Sequence, residues 1–277
     1  MPKTGSANGS FWGNFLYDQL LAGREHLLLD LKRLVDFGFV RRACRDFYQD
    51  WGRDAWDPVV LFKLVCLQFL YDLSDREMEE QATFNLLYQW FLGLAAEERP
   101  PDHTTRCRFR ARLGAEGFQT LFNHMVAQAR ERGLVSAGLH ILDATHLQAK
   151  VDRFRLKREH CRVEDDDTWA NRHSPDPDAR FGRKGKGKTF YGYKAHIVED
   201  AKTELIVAVK TTPGNAADGR QLPELVDGRA GEVTADQAYD RQANHAPLAG
   251  LGVASGVSRR RPRPGRPRLS RRWRPKI

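Results

Sequence analysis

Long apolar stretches are missing from this chain of 277 residues. No segment approaches the roughly 20 apolar residues that a membrane-spanning helix needs, and the N-terminal sequence MPKTGSANGS lacks the apolar core of a signal peptide. The sequence therefore predicts a soluble, unexported protein without a membrane partner, located in the cytoplasm. Its length suffices for one large or two modest domains with a sizeable core.

Cysteine is scarce as well. Cys44, Cys66, Cys107 and Cys161 are far apart in the sequence and form no CxxC pair. Neither a disulfide framework nor a cysteine-based zinc cluster is therefore predicted, and a reducing compartment is favoured.

Acidic residues are nearly absent from the C-terminal part. From Gln237 onwards there are ten Arg and one Lys against the single acid Asp240, an excess of ten positive charges. Because the whole chain carries +9, about −1 remains for residues 1–236. Residues 241–277 are predicted to be a basic Arg/Pro-rich tail that attracts polyanions, because Lys and Arg that meet phosphates release counterions. The open alternative is a solvated, disordered tail without a specific partner. The candidate DNA-binding residues of this tail are Arg259, Arg260, Arg261 and Arg266.

The first part of the chain has a helical pattern. In DPVVLFKLVCLQFL, Pro58 stands at a first-turn position, and apolar residues then recur at spacings of three and four. The sequence SDRE places Ser74 and Glu77 as a capping box at the start of a second helix. A third helix is predicted from PDHTTRCRFRARL onwards, so residues 1–135 are expected to form a helical domain.

Strand-like patterns replace the helical one after Gly138. LHILDATHLQAKV, KTFYGYKAHIVED and TELIVAVKTTPGN predict three strands, DGRQLPELVDGR a helix, and GEVTADQAYD a fourth strand, all within residues 138–240. The mixed-charge segment 152–188 is predicted to be a loop insert on the surface. Its GRKGKGK sequence lacks the spacing of a phosphate-binding P-loop, and Lys184, Lys186 and Lys188 are predicted to contact DNA instead.

Two aspartates follow apolar strand-like steps, Asp143 in HILD and Asp236 in VTAD. A buried carboxylate without a partner is costly, so each is expected to face a cation or strong hydrogen-bond donors. If the two strands are neighbours, the pair could hold Mg²⁺, with Mn²⁺ as a substitute. The open alternative is an ordinary strand-end aspartate with hydrogen-bonded oxygens. His140 and His146, which flank Asp143, are predicted to serve packing or solvent contact.

The combination of these motifs resembles a known family. The helical segment 57–94 followed by PDHTTRCRFRARL resembles the N-terminal domain of bacterial insertion-sequence transposases of the InsH-like type. ILDATHLQAK, the YGYK strand, the TPGNAADG turn and VTADQAYD are similar to the DDE catalytic core of the same proteins.

The resemblance implies an α+β fold in which a helical DNA-binding and assembly domain precedes a ribonuclease-H-like mixed α/β catalytic core. Asp143 and Asp236 would be the first two acids of the DDE triad and would bind metal, and Lys194 in YGYK would position a DNA phosphate. Members of the family bind the terminal inverted repeats of their element in double-stranded DNA, cut its ends and join them to target DNA. Such reactions depend on positioning and charge neutralisation. A homodimer or an assembly with full-length transposase is expected, to bring two DNA ends together.

One departure from the family pattern concerns the third acid, a glutamate on a helix well downstream of the second aspartate. The last glutamate here is Glu232, and the only later acid, Asp240, is too close to Asp236 in the sequence. The core is therefore expected to be incomplete at its C-terminus, as in a truncated or frameshifted product. A catalytically defective protein that only binds DNA, and a nuclease unrelated to transposition, remain the alternatives to an active transposase.

Overall fold

The computed structural model describes residues 2–3, 11–48, 55–152, 155, 173–183 and 189–259. The chain divides into two compact units, Met1–Gln128 and Ala129–Ile277. The sequence placed the end of the helical domain a few residues later, at residue 135. None of the helices that the structure describes combines the length and the apolar character required to cross a membrane.

Helices dominate the N-terminal unit. They are α1 (Phe11–Leu21), α2 (Leu27–Leu34), α3 (Phe39–Ala43), α4 (Pro58–Leu70), α5 (Asp75–Phe84), α6 (Leu86–Leu92) and α7 (His103–Glu131), with a 3-10 helix at Arg45–Phe47. Two short parallel strands, β1 (Pro2–Lys3) and β2 (Ala55–Trp56), pair with each other. Helix α7 is interrupted at Gly114, whose φ of 59° is favourable for glycine.

The predicted start signals of α4 and α5 are confirmed. The Asp57 side chain accepts a hydrogen bond from the Val59 N–H at the start of α4, and Pro58 occupies the first turn. Both hydrogen bonds of the Ser74–Glu77 capping box are present at the start of α5. The apolar faces of these helices meet in a core that includes Leu64, Leu67, Met78, Phe91 and Leu121.

A mixed sheet forms the framework of the second unit. Its strands are β3 (Leu139–Gln148), β4 (Arg180–Arg183), β5 (Thr189–Asp200), β6 (Ile206–Pro213), β7 (Glu232–Ala235) and β8 (Ala254–Ser255). β5 pairs antiparallel with β3, β4 and β6, whereas β3, β7 and β8 are parallel. β3 thus lies between β5 and β7, and the path β6-β5-β3-β7-β8 gives the ribonuclease-H-like core that the resemblance implied.

Side chains alternate between the two faces of β3. Leu142 is buried, whereas Leu139, Ile141 and Leu147 are 39–45% exposed on the other face, which also carries Asp143. Val233 of the neighbouring strand β7, Leu222 and Leu248 are buried as well. Leu222 belongs to α8 (Leu222–Leu225) and Leu248 to α9 (Gln242–Gly250). The face that carries Asp143 is therefore the open one, which is where a large substrate could approach.

The glycines of the YGYK and TPGN motifs lie where backbone segments approach each other closely. Gly192 of β5 has a φ of 151°, and a Cβ there would lie 2.1 Å from the Leu147 carbonyl oxygen. Gly214, just after β6, donates its N–H to the Gly192 carbonyl, and a Cβ on it would lie 2.5 Å from the Arg180 carbonyl oxygen. The strands approach one another here so closely that only glycine fits at either position.

The sheet continues beyond the predicted core. Residues 241–277 were predicted to be a tail, but residues 242–255 include α9 and β8, and β8 extends the sheet next to β7. That part of the prediction is wrong, because these residues are held by backbone pairing and by burial of Leu248. The predicted loop insert 152–188 contains β4, which pairs with β5.

Candidate active site

Asp143 occupies the middle of the central strand of the sheet. Backbone pairing with Ile197 of β5 fixes its position on one side, and the pairing with β7 on the other side ends at the preceding residue, Leu142. The side chain is exposed, and its Oδ1 accepts a hydrogen bond of 2.7 Å from the Ala144 N–H. The carboxylate is thus held on a rigid element and faces solvent, which is suitable for binding a ligand.

Asp236 lies beside Asp143. The parallel pairing of β3 and β7 runs to Leu142 opposite Ala235, and the next residue on each strand is an aspartate. Asp236 is exposed, and its Oδ1 accepts a hydrogen bond of 2.8 Å from the Ala238 N–H, which caps the 3-10 helix Gln237–Tyr239. The described residues donate no hydrogen bond to the Oδ2 atom of either aspartate.

A buried tyrosine connects the two aspartates electrostatically. Tyr239 is 1% exposed, and its pKa is raised, first by burial and then by the negative charges of Asp218, Asp143 and Asp236. All three carboxylates therefore act on one phenol, which stays protonated at neutral pH. Sequence reasoning missed Tyr239, although the tyrosine of VTADQAYD stands only three residues after Asp236.

Behind Tyr239 lies a buried hydrogen-bonded chain. The Tyr239 hydroxyl is 3.2 Å from Nδ1 of His196, and Nε2 of His196 is 2.9 Å from Oγ1 of Thr212. Burial lowers the pKa of His196, so the ring is neutral, with one nitrogen donating and the other accepting. This chain fixes the Tyr239 ring and, through the short 3-10 helix, the backbone next to Asp236.

Asp200 shows what a structural aspartate looks like in the same sheet. It is fully buried, and its oxygens accept hydrogen bonds from the Ser136 N–H (2.6 Å), the Ser136 hydroxyl (2.7 Å), the Lys202 N–H (3.0 Å) and the Thr203 hydroxyl (2.9 Å). Burial works to raise the pKa of Asp200, but these hydrogen bonds outweigh it and lower the pKa. Asp143 and Asp236, by contrast, have one backbone donor each and are open to solvent, and the choice between a metal site and ordinary strand-end aspartates stays a prediction.

The structure places Lys194 inside the second unit. Its side chain is 8% exposed, and Nζ donates to Oδ1 of Asp218 (2.8 Å) and to the Ala216 carbonyl (2.9 Å). Lys194 pairs in register with His146, whose side chain alternates with that of Asp143 and therefore lies on the opposite face of β3. The phosphate contact predicted for Lys194 stays a prediction, and the observed role of the ammonium group is an internal ion pair.

Both histidines near Asp143 serve packing, as predicted. His140 is buried, with Nε2 3.1 Å from the Ser136 carbonyl oxygen. His146 packs edge to face on Phe190, with ring centroids 4.4 Å apart.

A third acid does not join the pair in the described ranges. No three Asp, Glu, His or Cys side chains come together there in a group able to hold a metal ion. Asp240 instead lies 3.0 Å from Nε2 of His245, and both side chains are largely buried. The expectation that Asp240 does not replace the family's third acid stays a prediction.

Most of the predicted DNA-binding residues lie outside the described part of the chain. These are Lys184, Lys186, Lys188, Arg260, Arg261 and Arg266. Arg259, the last described residue, is half-buried after β8. Their contacts with DNA stay predictions.

Two family models match this chain, and both describe transposase domains. The family described as "Transposase domain (DUF772)" matches residues 15–112, and the family described as "Transposase DDE domain" matches residues 139–276. Among solved structures, a piggyBac transposase synaptic complex with hairpin DNA is 11% identical, with 97% of this chain and 55% of that chain covered and a TM-score of 0.37. A Mos1 transposase paired-end complex with the left transposon end is also 11% identical, with 88% and 70% covered and a TM-score of 0.22.

This chain thus spans about half the length of the piggyBac chain that it matches. The two family matches, by contrast, together extend over most of the sequence, and the second includes both Asp143 and Asp236. The chain therefore belongs to the insertion-sequence transposases with a DDE catalytic domain.

Proposed function

We propose that this chain binds the terminal inverted repeats of its element and cleaves DNA there in a Mg²⁺-dependent reaction, followed by strand transfer to target DNA. The observation that supports this most strongly is the position of Asp143 and Asp236. They follow the last paired residues of two adjacent parallel strands and are exposed beside an open face of the sheet. The chain would act in the cytoplasm, at the nucleoid.

The two aspartates fit a hard divalent cation. Each carboxylate offers an oxygen that accepts no hydrogen bond from the described residues, and Mg²⁺ prefers oxygen ligands of this kind, with Mn²⁺ as a possible substitute. A divalent ion held there would supply the positive charge that activates water and stabilises the leaving oxygen of a phosphodiester.

The protein itself contributes position. Asp143 is fixed by its pairing with β5 and by the pairing of the preceding residue with β7, and Asp236 by its cap on the Gln237–Tyr239 helix. The buried Tyr239, His196 and Thr212 chain supports that helix from the inner side. Rigid support of this kind keeps the carboxylates in place for phosphoryl transfer, in which positioning and charge stabilisation provide most of the rate enhancement.

The proposed partner is double-stranded DNA, as inverted repeats and as target. The piggyBac and Mos1 structures are described as complexes with DNA, and the chain carries a formal charge of +9. A homodimer, or an assembly with a full-length transposase, would bring two ends together.

A second candidate function is DNA binding without cleavage. It is favoured by the excess of positive charge from Gln237 onwards and by the absence of a three-residue metal group in the described ranges. A site with two carboxylates should hold metal less tightly than one with three.

A nicking assay separates the two candidates. Supercoiled plasmid carrying the inverted repeats would be incubated with the wild-type chain, with Asp143→Asn and with Glu204→Gln, in Mg²⁺ and in EDTA. Glu204 lies in the exposed turn between β5 and β6, so its substitution removes one negative charge away from the site. Cleavage by the wild type and Glu204→Gln in Mg²⁺, with loss of at least a hundredfold in Asp143→Asn, is expected of the enzyme.

Binding of the plasmid by all three proteins without Mg²⁺-dependent nicking would instead establish the DNA-binding function. Equal nicking by the wild type and Asp143→Asn would refute the assigned site. Circular dichroism of Asp143→Asn checks that the fold is retained.

A further inference from the structure

A groove in the N-terminal unit carries positive charge that no described contact neutralises. It has a volume of about 960 Å³ and lies between the segment before α4 and the start of α7. Its lining consists of basic, aromatic and small side chains: Tyr48, Ala55, Trp56, Leu61, Arg99, Pro100, Asp102, Thr105, Arg108, Phe109 and Arg112. We call it the arginine groove.

The two arginines of α7 point the same way. Arg108 and Arg112 are four residues apart, which places them one above the other on one side of the helix. Both are exposed, whereas Phe109 and Leu113 of the same segment are buried in the core. Arg99, from the loop before α7, is exposed in the same groove. Three guanidinium groups from two segments therefore line one depression.

Arg110 of α7 differs from these three arginines because it has an ion-pair partner. Arg110 forms a two-pronged ion pair with Asp75, at 2.7 and 2.8 Å. No acid of the described chain forms an ion pair with Arg99, Arg108 or Arg112. Exposed, unpaired arginines at one surface are free to bind an anion.

The groove contains one acid among its described lining residues, and that acid has a structural role. Oδ1 of Asp102 accepts hydrogen bonds from the Thr104 hydroxyl (2.9 Å) and the Thr105 N–H (2.7 Å) at the start of α7. These hydrogen bonds lower the pKa of Asp102 to about 2, so it is negative at neutral pH. Three arginines against one aspartate give the described lining residues of the groove a net charge of about +2.

We infer that the arginine groove binds the sugar–phosphate backbone of double-stranded DNA. Guanidinium groups match the geometry of phosphate oxygens and can bind them in a two-pronged manner. Trp56 and Tyr48 add aromatic surface at the same place, on which sugars can pack. The inference deepens the proposed function, since it rests on DNA being the partner. The resemblance implied a DNA-binding helical domain without naming any residue of it, and the inference assigns the contact to Arg99, Arg108 and Arg112.

Such contacts are independent of base sequence. Phosphate contacts position a protein on the duplex, and each one makes binding depend on salt because it releases counterions. The arginine groove should therefore contribute equally to the binding of inverted-repeat DNA and of unrelated DNA.

The test compares two double variants with the same change in net charge. Arg108→Gln/Arg112→Gln alters the groove, and Arg42→Gln/Arg76→Gln removes two exposed arginines of the same unit that do not line it. Binding of a fluorescent duplex would be measured by anisotropy in EDTA, at salt concentrations from about 0.05 to 0.2 M. Two lost phosphate contacts should reduce the slope of log affinity against log salt by about 1.8. The affinity ratio of wild type to groove variant should then grow about tenfold from the highest to the lowest salt.

The control pair should leave the slope within a few tenths of the wild-type value, and Arg108→Lys/Arg112→Lys should restore most of it. The inference is overturned if groove and control variants show the same slope, or if the glutamine pair binds as the wild type does. Because these measurements need no cleavage, they separate the groove from the active site. A chain that binds through the groove but never nicks DNA would refute the cleavage proposal and leave this inference standing.

Discussion

Asp143 and Asp236 are neighbours across two parallel strands, although many residues and three other strands separate them in the sequence. The pairing between β3 and β7 ends at Leu142 opposite Ala235, and an aspartate follows each of these residues. β3 continues past Asp143 whereas β7 ends before Asp236, so it is the register of the two strands that places the two aspartates at the same level. A shift of one residue in either strand would move one aspartate to the opposite face.

Two substitutions of Asp236 separate its effect on stability from its effect on DNA cleavage. Asparagine caps helices about as well as aspartate, so Asp236→Asn should retain the hydrogen bond from the Ala238 N–H and leave stability nearly unchanged. Asp236→Ala should lose that bond at a cost of about 1 kcal/mol. Both variants should lose Mg²⁺-dependent nicking. Urea unfolding and the plasmid assay, applied to both proteins, provide the two measurements.

A different pattern would contradict the assigned role. If Asp236→Asn nicked DNA as fast as the wild type and only Asp236→Ala lost activity, Asp236 would act through the fold and not through its charge.

The sequence predicted the strands that hold these aspartates because the strands are rich in β-branched and aromatic residues. β3, β5, β6 and β7 all appeared at the expected places. β4 has the sequence RFGR and β8 consists of two residues, so neither carries a periodic pattern. α9 contains Pro247, which disfavours a helix, yet it forms because Leu248 is buried in the core.

The role of Lys194 shows a second limit. Its place in a strand was predictable, but the face that it occupies depends on the pairing of His146 with Lys194, which is a tertiary feature. Its ion partner, Asp218, lies beyond the next strand. From the sequence, the two aspartates could be expected to lie together only if their strands were neighbours in the sheet.

Asp200 should make the second unit sensitive to acid. The pKa of Asp200 is below its ordinary value of 3.8 in the folded protein, because its hydrogen bonds outweigh burial. The unfolded chain therefore takes up the proton first as the pH falls, and stability that is fully present above about pH 5 is lost below that value. Asp200→Asn should cost about 2 kcal/mol at pH 7, since buried donors lose their charged acceptor. Its unfolding free energy should then depend less on pH between 5 and 3 than that of the wild type.

The control is Glu204→Gln in the neighbouring turn, which also removes one negative charge but from an exposed side chain. Urea titrations at pH 7, 5 and 4 would provide the free energies. Equal pH dependence in the wild type and Asp200→Asn would show that the hydrogen bonds of Asp200 do not stabilise its charged form.

Lys63 should make the stability of the N-terminal unit depend on pH in the alkaline range. Its side chain is 7% exposed, Nζ donates to the Phe91 carbonyl (2.9 Å), and the ammonium lies 4.8 Å from the ring centroid of Phe37. Burial lowers the pKa of Lys63 from 10.5 to about 8, against the opposing charge of Asp57. Between these two values the unfolded chain binds more protons than the folded one, so stability rises with pH. The gain should be about 1 kcal/mol between pH 8 and pH 9.

Lys63→Met isolates this effect, because methionine keeps the apolar stem and cannot be charged. Burial raises the pKa of Cys44 to about 11 and that of Cys66 to about 12, so these thiols oppose the rise above pH 9, where the unfolded chain loses their protons first. Part of the rise should also remain in the variant, because the pKa of Lys32 is lowered to about 8. The decisive quantity is the difference in unfolding free energy between wild type and Lys63→Met at pH 7, 8 and 9. The unfolding free energy of the wild type should increase relative to that of Lys63→Met as the pH rises. A difference that stays constant with pH would show that burial does not lower the pKa of Lys63.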